Sequence, residues 1–229
     1  PRLRLVHAEG APEPELLSEG LALLKAGELD KAREKFGEVP AESSDYPSAA
    51  GLSAMCTLMT GDEEGAQREC ETLLEKHPDN VQALTTYCAV LGARGDKDGA
   101  KRVAEKLASL SVDATDDLYR VATALCETGL DEPAYEKLTL LADRLPYDEN
   151  ILWFRAVAAW RTGRQDEAIE SLETLTTVYP RKAVADYYLE RMRKCKDGDE
   201  QTFSMTYYYR VPEDEYETIA SFLLAAASV

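Results

Sequence analysis

Trp153 and Trp160 stand seven residues apart, a spacing that puts both indoles on one face of an α-helix, and Phe154 and Arg161 follow directly behind them. Shortly after, residues 181 to 196 carry six basic side chains and two acidic ones, a local charge of +4 in a chain whose total is −17. Tyr187, Tyr188, Arg191 and Lys194 fall in that stretch. Indole, phenol and guanidinium gathered together do the chemistry of recognition, because such groups hold apolar anchors and carboxylates of a partner segment.

Catalytic chemistry has no comparable foundation. His7 and His77 stand alone, and His77 precedes Pro78 in what reads as a solvated turn. The five cysteines, Cys56, Cys70, Cys88, Cys126 and Cys195, are odd in number and lack both CxxC and Cys/His spacing. Four of them fall in expected helices, where a thiol acts as a small apolar side chain, so reduced structural thiols and a cytoplasmic setting are expected. There is no phosphate-binding glycine loop and no nucleophile elbow. The expectation is a non-enzyme without metal or cofactor.

A repeat positions the aromatic residues. The skeleton of Gly, two residues, an acid, one residue and Ala is written five times, as "GELDKA", "GDEEGA", "GDKDGA", "GLDEPA" and "GRQDEA", beginning at Gly27, Gly61, Gly95, Gly129 and Gly163. Each step is 34 residues. Apolar helical periodicity precedes each Gly, as in "NILWFRAVAAWRTG", and follows it, as in "DEAIESLETLTTVYP". Every copy is therefore a helical hairpin. Gly takes the left-handed conformation that ends the first helix, the acid sits in the first turn of the second, and Ala lets the two helices approach closely. Pro78, Pro146 and Pro180 stop second helices, while Pro133 is tolerated in a first turn.

Five copies in register resemble the tetratricopeptide repeat family, whose period is also 34. The fifth copy carries Leu152, Ala156, Ala159, Ala168, Leu172, Leu175 and Pro180 at the family's patterned positions, and the fourth carries Leu118, Ala122, Leu125, Ala134, Leu138, Leu141 and Pro146. The second and third are weaker, with Cys70 and Ala104 where a larger residue is usual. The resemblance implies an all-α, right-handed superhelical solenoid of antiparallel helix pairs over residues 13–196, closed by the capping helix "KAVADYYLERMRKCK". Residues 1–12 read as an extended segment, and 197–229 as an extended segment followed by a helix. The start, "PRLRLVHAEG", has neither an initiator Met nor a signal-peptide core, as expected of a domain cut from a longer protein.

In the family, the concave face is built from the first helices of the hairpins. The resemblance places Leu17, Leu21, Leu52, Met55 and Met59 on its aliphatic half, and Gln82, Thr85 and Thr86 in a stretch at its middle that leaves room. Its aromatic and basic half then holds Tyr119, Arg120, Trp153, Phe154, Trp160, Arg161, Tyr187, Tyr188, Arg191 and Lys194. The aliphatic set fits equally well as packing between helices. The family's clamp for chaperone C-terminal carboxylates is absent, since its sites are occupied by Leu17, Leu21, Leu52, Gln82 and Thr86.

The expected partner is another protein or peptide. The excess of 43 acidic over 26 basic residues opposes nucleic acid, and no apolar run approaches the roughly 18 residues of a membrane span. One candidate ligand is the chain's own tail, "TYYYRVPEDEYE", residues 206 to 217, which is extended, aromatic and finally acidic. The competing placement has Tyr207, Tyr208 and Tyr209 covering the last helix from outside. Oligomeric state is open. The function expected is a protein-interaction scaffold or adaptor; the alternative is the non-catalytic part of a larger enzyme or co-chaperone.

Overall fold

A computed structural model describes residues 13–180 and 183–207. The N-terminal segment 1–12 and the expected helix at 213–229 lie outside the described residues. Within them are eleven helices: α1 Glu13–Lys25, α2 Leu29–Gly37, α3 Tyr46–Met59, α4 Glu63–Lys76, α5 Val81–Ala93, α6 Lys97–Ser109, α7 Thr115–Glu127, α8 Asp131–Arg144, α9 Glu149–Arg161, α10 Gln165–Val178 and α11 Ala183–Asp197. The chain divides into two compact units, one up to Leu107 and one from Ala108 on. The first is built from α1 to α6, whose last turn crosses the division, and the second from α7 to α11 and the segment after it.

The repeated glycines take left-handed backbone angles, with φ between +72° and +91° at Gly27, Gly61, Gly95, Gly129 and Gly163. At each, the next residue donates its N–H to a carbonyl five residues back, as in Asp62 to Thr57 at 3.2 Å and Arg164 to Ala159 at 2.8 Å. This satisfies a carbonyl that the helix end would leave open. Several second and first helices then start on a side-chain cap: Asp62, Asn80, Asp96 and Asp148 accept from the N–H three residues on. A sixth glycine, Gly198, has φ +84° and the same long bond, from Asp199 to Lys194 at 2.8 Å. It falls 35 residues after Gly163, one more than the repeat.

The repeated alanines carry the close approach. Ala32, Ala66, Ala134 and Ala168 are fully buried and Ala100 nearly so. A second pair of positions, eight and 24 in the repeat, trades volume between helices. The fourth and fifth hairpins bury Ala122 with Leu138 and Ala156 with Leu172, whereas the first sets Gly20 against Phe36. A Cβ on Gly20 would lie 2.4 Å from Cε1 of the Phe36 ring. In the second and third copies the smaller Cys70 and Ala104 at this position are likewise fully buried.

Gly20→Ala should therefore destabilise the first unit by about 1–2 kcal/mol, because overpacking exceeds the roughly 1 kcal/mol gained in helix propensity. Adding Phe36→Leu, which copies the Ala/Leu pairing of the later hairpins, should recover most of that loss. Urea unfolding midpoints of the two variants and the parent check both expectations.

Candidate functional site

The second unit brings most of the predicted aromatic and basic residues together. In α9 the run around Trp153 and Trp160 is buried nearly all round, with Trp153 1% exposed and Trp160 6%. In α11, Tyr187 and Tyr188 are buried and their rings meet edge to face at 5.3 Å. Trp153 contacts Tyr188 at 5.8 Å, which joins the faces of the two helices. A buried indole carries an N–H that must find an acceptor. For both indoles, main chain supplies it.

The acceptors are carbonyls of residues 203 to 207, which leave the Gly198 turn without helical or strand structure. Trp160 Nε1 donates to the carbonyl of Phe203 at 2.8 Å, and Trp153 Nε1 to that of Tyr207 at 2.9 Å. Between them, Arg161 directs Nε (3.0 Å) and Nη2 (2.8 Å) at the carbonyl of Met205. The segment therefore runs opposite in direction to α9 and is held at every second residue. Side chains follow the same alternation: Met205 and Tyr207 are buried and Phe203 half-buried, while Thr202 and Ser204 are exposed. Phe203 lies 4.9 Å from Trp160, 5.7 Å from Tyr188 and 4.2 Å from the Arg191 guanidinium. Tyr207 meets Phe154 edge to face at 5.9 Å and lies under the Arg161 guanidinium at 4.9 Å.

Sequence reasoning missed one end of this site. Tyr207 donates its hydroxyl to Asp131 Oδ1 at 2.6 Å, and the same oxygen accepts from Arg161 Nη1 at 3.2 Å. Asp131 opens a second helix, so a search confined to first helices passes it by. Burial pushes the Cys126 thiol up to about 12, opposed in part by its hydrogen bond with Tyr207. Burial also raises the Tyr207 phenol well above its usual range, helped by the neighbouring Cys126 and by the bond to Asp131.

Other predicted residues sit differently. Arg120 pairs with Asp117 and Lys194 with Glu190, each on its own helix. Tyr119 is half-buried. In the first unit, Leu52 belongs to a core cluster with Phe36 and Cys56, and Leu17 and Leu21 pack against that cluster half-buried. Met55 is half-buried and Met59 is 56% exposed. Gln82, Thr85 and Thr86 do not leave open room: all three are buried, and Thr86 donates to the Gly51 carbonyl at 3.2 Å. Of the tail read as a candidate ligand, only Thr206 and Tyr207 lie among the described residues. Among those residues there is no cluster of His, Cys, Asp and Glu able to hold a metal, and no helix long and apolar enough to cross a membrane.

Paired antiparallel helices at a fixed period define a helical-hairpin repeat protein. Two tetratricopeptide repeat family models match the chain, over residues 23–86 and 151–174. Solved structures share the fold. YrrB, described as a TPR protein with an unusual peptide-binding site, is 17% identical, covers 85% of this chain and 98% of its own, and superposes with a TM-score of 0.59. PilF of Pseudomonas aeruginosa is 12% identical over 93% of this chain and 89% of its own, with a TM-score of 0.60. A thermophilic TPR protein of Thermus thermophilus is 17% identical over 80% of this chain and 99% of its own, with a TM-score of 0.53. No curated protein matches the chain by sequence. The chain thus carries tetratricopeptide repeats over these two stretches and has the fold of that family's helical-repeat solenoids.

The raised phenol sets a pH dependence. A Tyr207 that holds its proton more tightly when seated than when free contributes fully below about pH 10, the ordinary value. That contribution is lost as pH rises further, by up to about 1.4 kcal/mol per unit. Tryptophan emission followed from pH 8 upward should report release of the segment. Tyr207→Phe should weaken the seat at neutral pH by about 1.5–3 kcal/mol, the range for a hydrogen bond to a charged group, and remove this part of the slope.

Proposed function

We propose that this protein is a non-catalytic interaction scaffold that holds an extended peptide segment on the face of its second unit, and that residues 201–207 occupy this seat in the isolated molecule. The observation that carries the reading is the row of three donors, Trp160, Arg161 and Trp153, on the carbonyls of Phe203, Met205 and Tyr207. Donors aimed at main chain suit an interchangeable occupant, because every peptide offers carbonyls at the same spacing. Phe154, Tyr187, Tyr188 and Arg191 supply the walls, and Tyr119, Arg120 and Lys194 the border. In the first unit, Leu17, Leu21, Met55 and Met59 are proposed as a separate apolar contact surface, with Leu52 and Thr85 supporting it from beneath. The peptide-binding site ascribed to YrrB, which has the same fold, supports a role of this kind.

The test keeps the full chain. Met205→Lys puts a cation in a fully buried position, where it is desolvated. The variant should keep the far-UV circular dichroism of the parent, while emission from Trp153 and Trp160 moves to longer wavelength as water reaches the indoles. Unchanged emission would sink the reading.

A further inference from the structure

We infer that the seat reads an internal, extended segment of a partner protein in alternate register: aromatic, unbranched apolar and tyrosine at positions i, i+2 and i+4, with no terminal carboxylate required. This rests on the proposed function and specifies its ligand. Geometry fixes the register first. From Trp153 to Trp160 the helix rises about 10.5 Å, while four extended residues span about 13 Å, so a two-residue step of the segment keeps pace with about half the distance between the indoles. Carbonyls at i, i+2 and i+4 of an extended chain point to one edge, and their side chains share one face. A helical ligand cannot present either set in that way. Inserting a single residue turns both away from their partners.

Chemistry then selects the side chains. The first position is enclosed by Trp160, Tyr188 and the Arg191 guanidinium, three flat groups that favour a flat ring. The middle position holds a fully buried Met205. The last offers Asp131 Oδ1 as acceptor at the end of an aromatic slot formed by Phe154 and Arg161; a tyrosine hydroxyl donates to it alongside Arg161, and a phenylalanine forgoes that bond.

A carboxylate is not what the cations of this face await. Arg161 is paired with Asp131 and Arg191 with Glu200 at 2.6 Å. Lys194 is paired with Glu190. The local excess of positive charge seen in the sequence is answered by acids brought in by the fold.

A partner must also displace the resident segment, tethered through the short turn at Gly198 and so present at an effective concentration in the millimolar range. The experiment titrates a fluorescent, C-terminally amidated peptide "QTFSMTY" into the intact chain and into the full-length Met205→Lys chain. The expected result is binding about tenfold tighter to the variant. Within the variant, "QTFSGMTY", shifted by one residue, should bind at least tenfold more weakly. Replacing the outward Thr202 and Ser204 equivalents by Ala should change binding less than threefold, and a free C-terminal carboxylate should give no gain.

Equal binding of the shifted peptide, or a strict need for the free carboxylate, would overturn the register and leave the peptide-holding scaffold standing. Absence of binding by any peptide, together with unchanged tryptophan emission in the variant, would overturn the scaffold reading itself. Phe203→Lys, which sets a cation against Arg191, opens the seat from its other end and serves if Met205→Lys disturbs the helices.

Discussion

The left-handed glycine that closes a first helix is the constraint on which both the repeat and the site depend. Five times it is followed by a sequence able to start a second helix, with an acid in the first turn and a small Ala facing the first helix. At Gly198 the same turn forms, and the long hydrogen bond to Lys194 closes α11 as it closes the others. The next residues are "DEQTFSMTY", with Gln201 where the acid would stand and Phe203 where a close-packing Ala would be needed. A second helix therefore cannot pack there. The chain instead runs back along α9, and the donors buried in that helix find their acceptors in its carbonyls.

How firmly the segment sits is set by opposing terms of one size. Fixing seven residues costs on the order of 7–14 kcal/mol in backbone entropy. Burial of Met205 and Tyr207 returns on the order of 1.5–3 kcal/mol each, and half-burial of Phe203 about half as much. Four hydrogen bonds to carbonyls add about 1 kcal/mol apiece, and the one to Asp131 about 1.5–3 kcal/mol. The difference is small, as it must be if an occupant is to be exchanged. Release would hydrate the indole N–H groups rather than strand them in a dry core, so the helices need not unfold when the seat empties.

The period, the glycine turns and the buried alanines were legible because each is a local demand: a backbone angle, a cap or a contact between helices that are neighbours in the chain. The aromatic face was legible too, since α9 and α11 carry it at helical spacing. Other features depended on distant groups. Asp131 joins the site through Tyr207, 76 residues away. Gln82 and Thr86 read as groove-lining groups, yet α3 approaches so closely at Gly51 that a Cβ there would lie 2.8 Å from Gln82 Cγ, and both side chains are buried. Gly198 escaped the pattern because it stands one residue beyond the 34-residue register and lacks the acid and Ala that follow the others. Main-chain acceptors leave no mark in a sequence at all.

Charge shows most clearly how fold alters a reading made from composition. The six basic residues of 181–196 stand out against an acidic chain, and as a linear stretch they invite an anion. Folding brings Glu173 to Arg193, Asp166 to Lys196 and Glu200 to Arg191, so acids from α10 and from the last turn neutralise what α11 presents. Exposed pairs of this sort contribute little to stability. Their consequence is for recognition, since they lower the positive potential of the face without removing its donors. Arg161 then acts less as a charge than as a planar fork, its Nε and Nη2 on one carbonyl and its face on the Tyr207 ring. A lysine could replace the charge and would lose that geometry, which is why selection at this site lies in shape and main-chain register rather than in net charge.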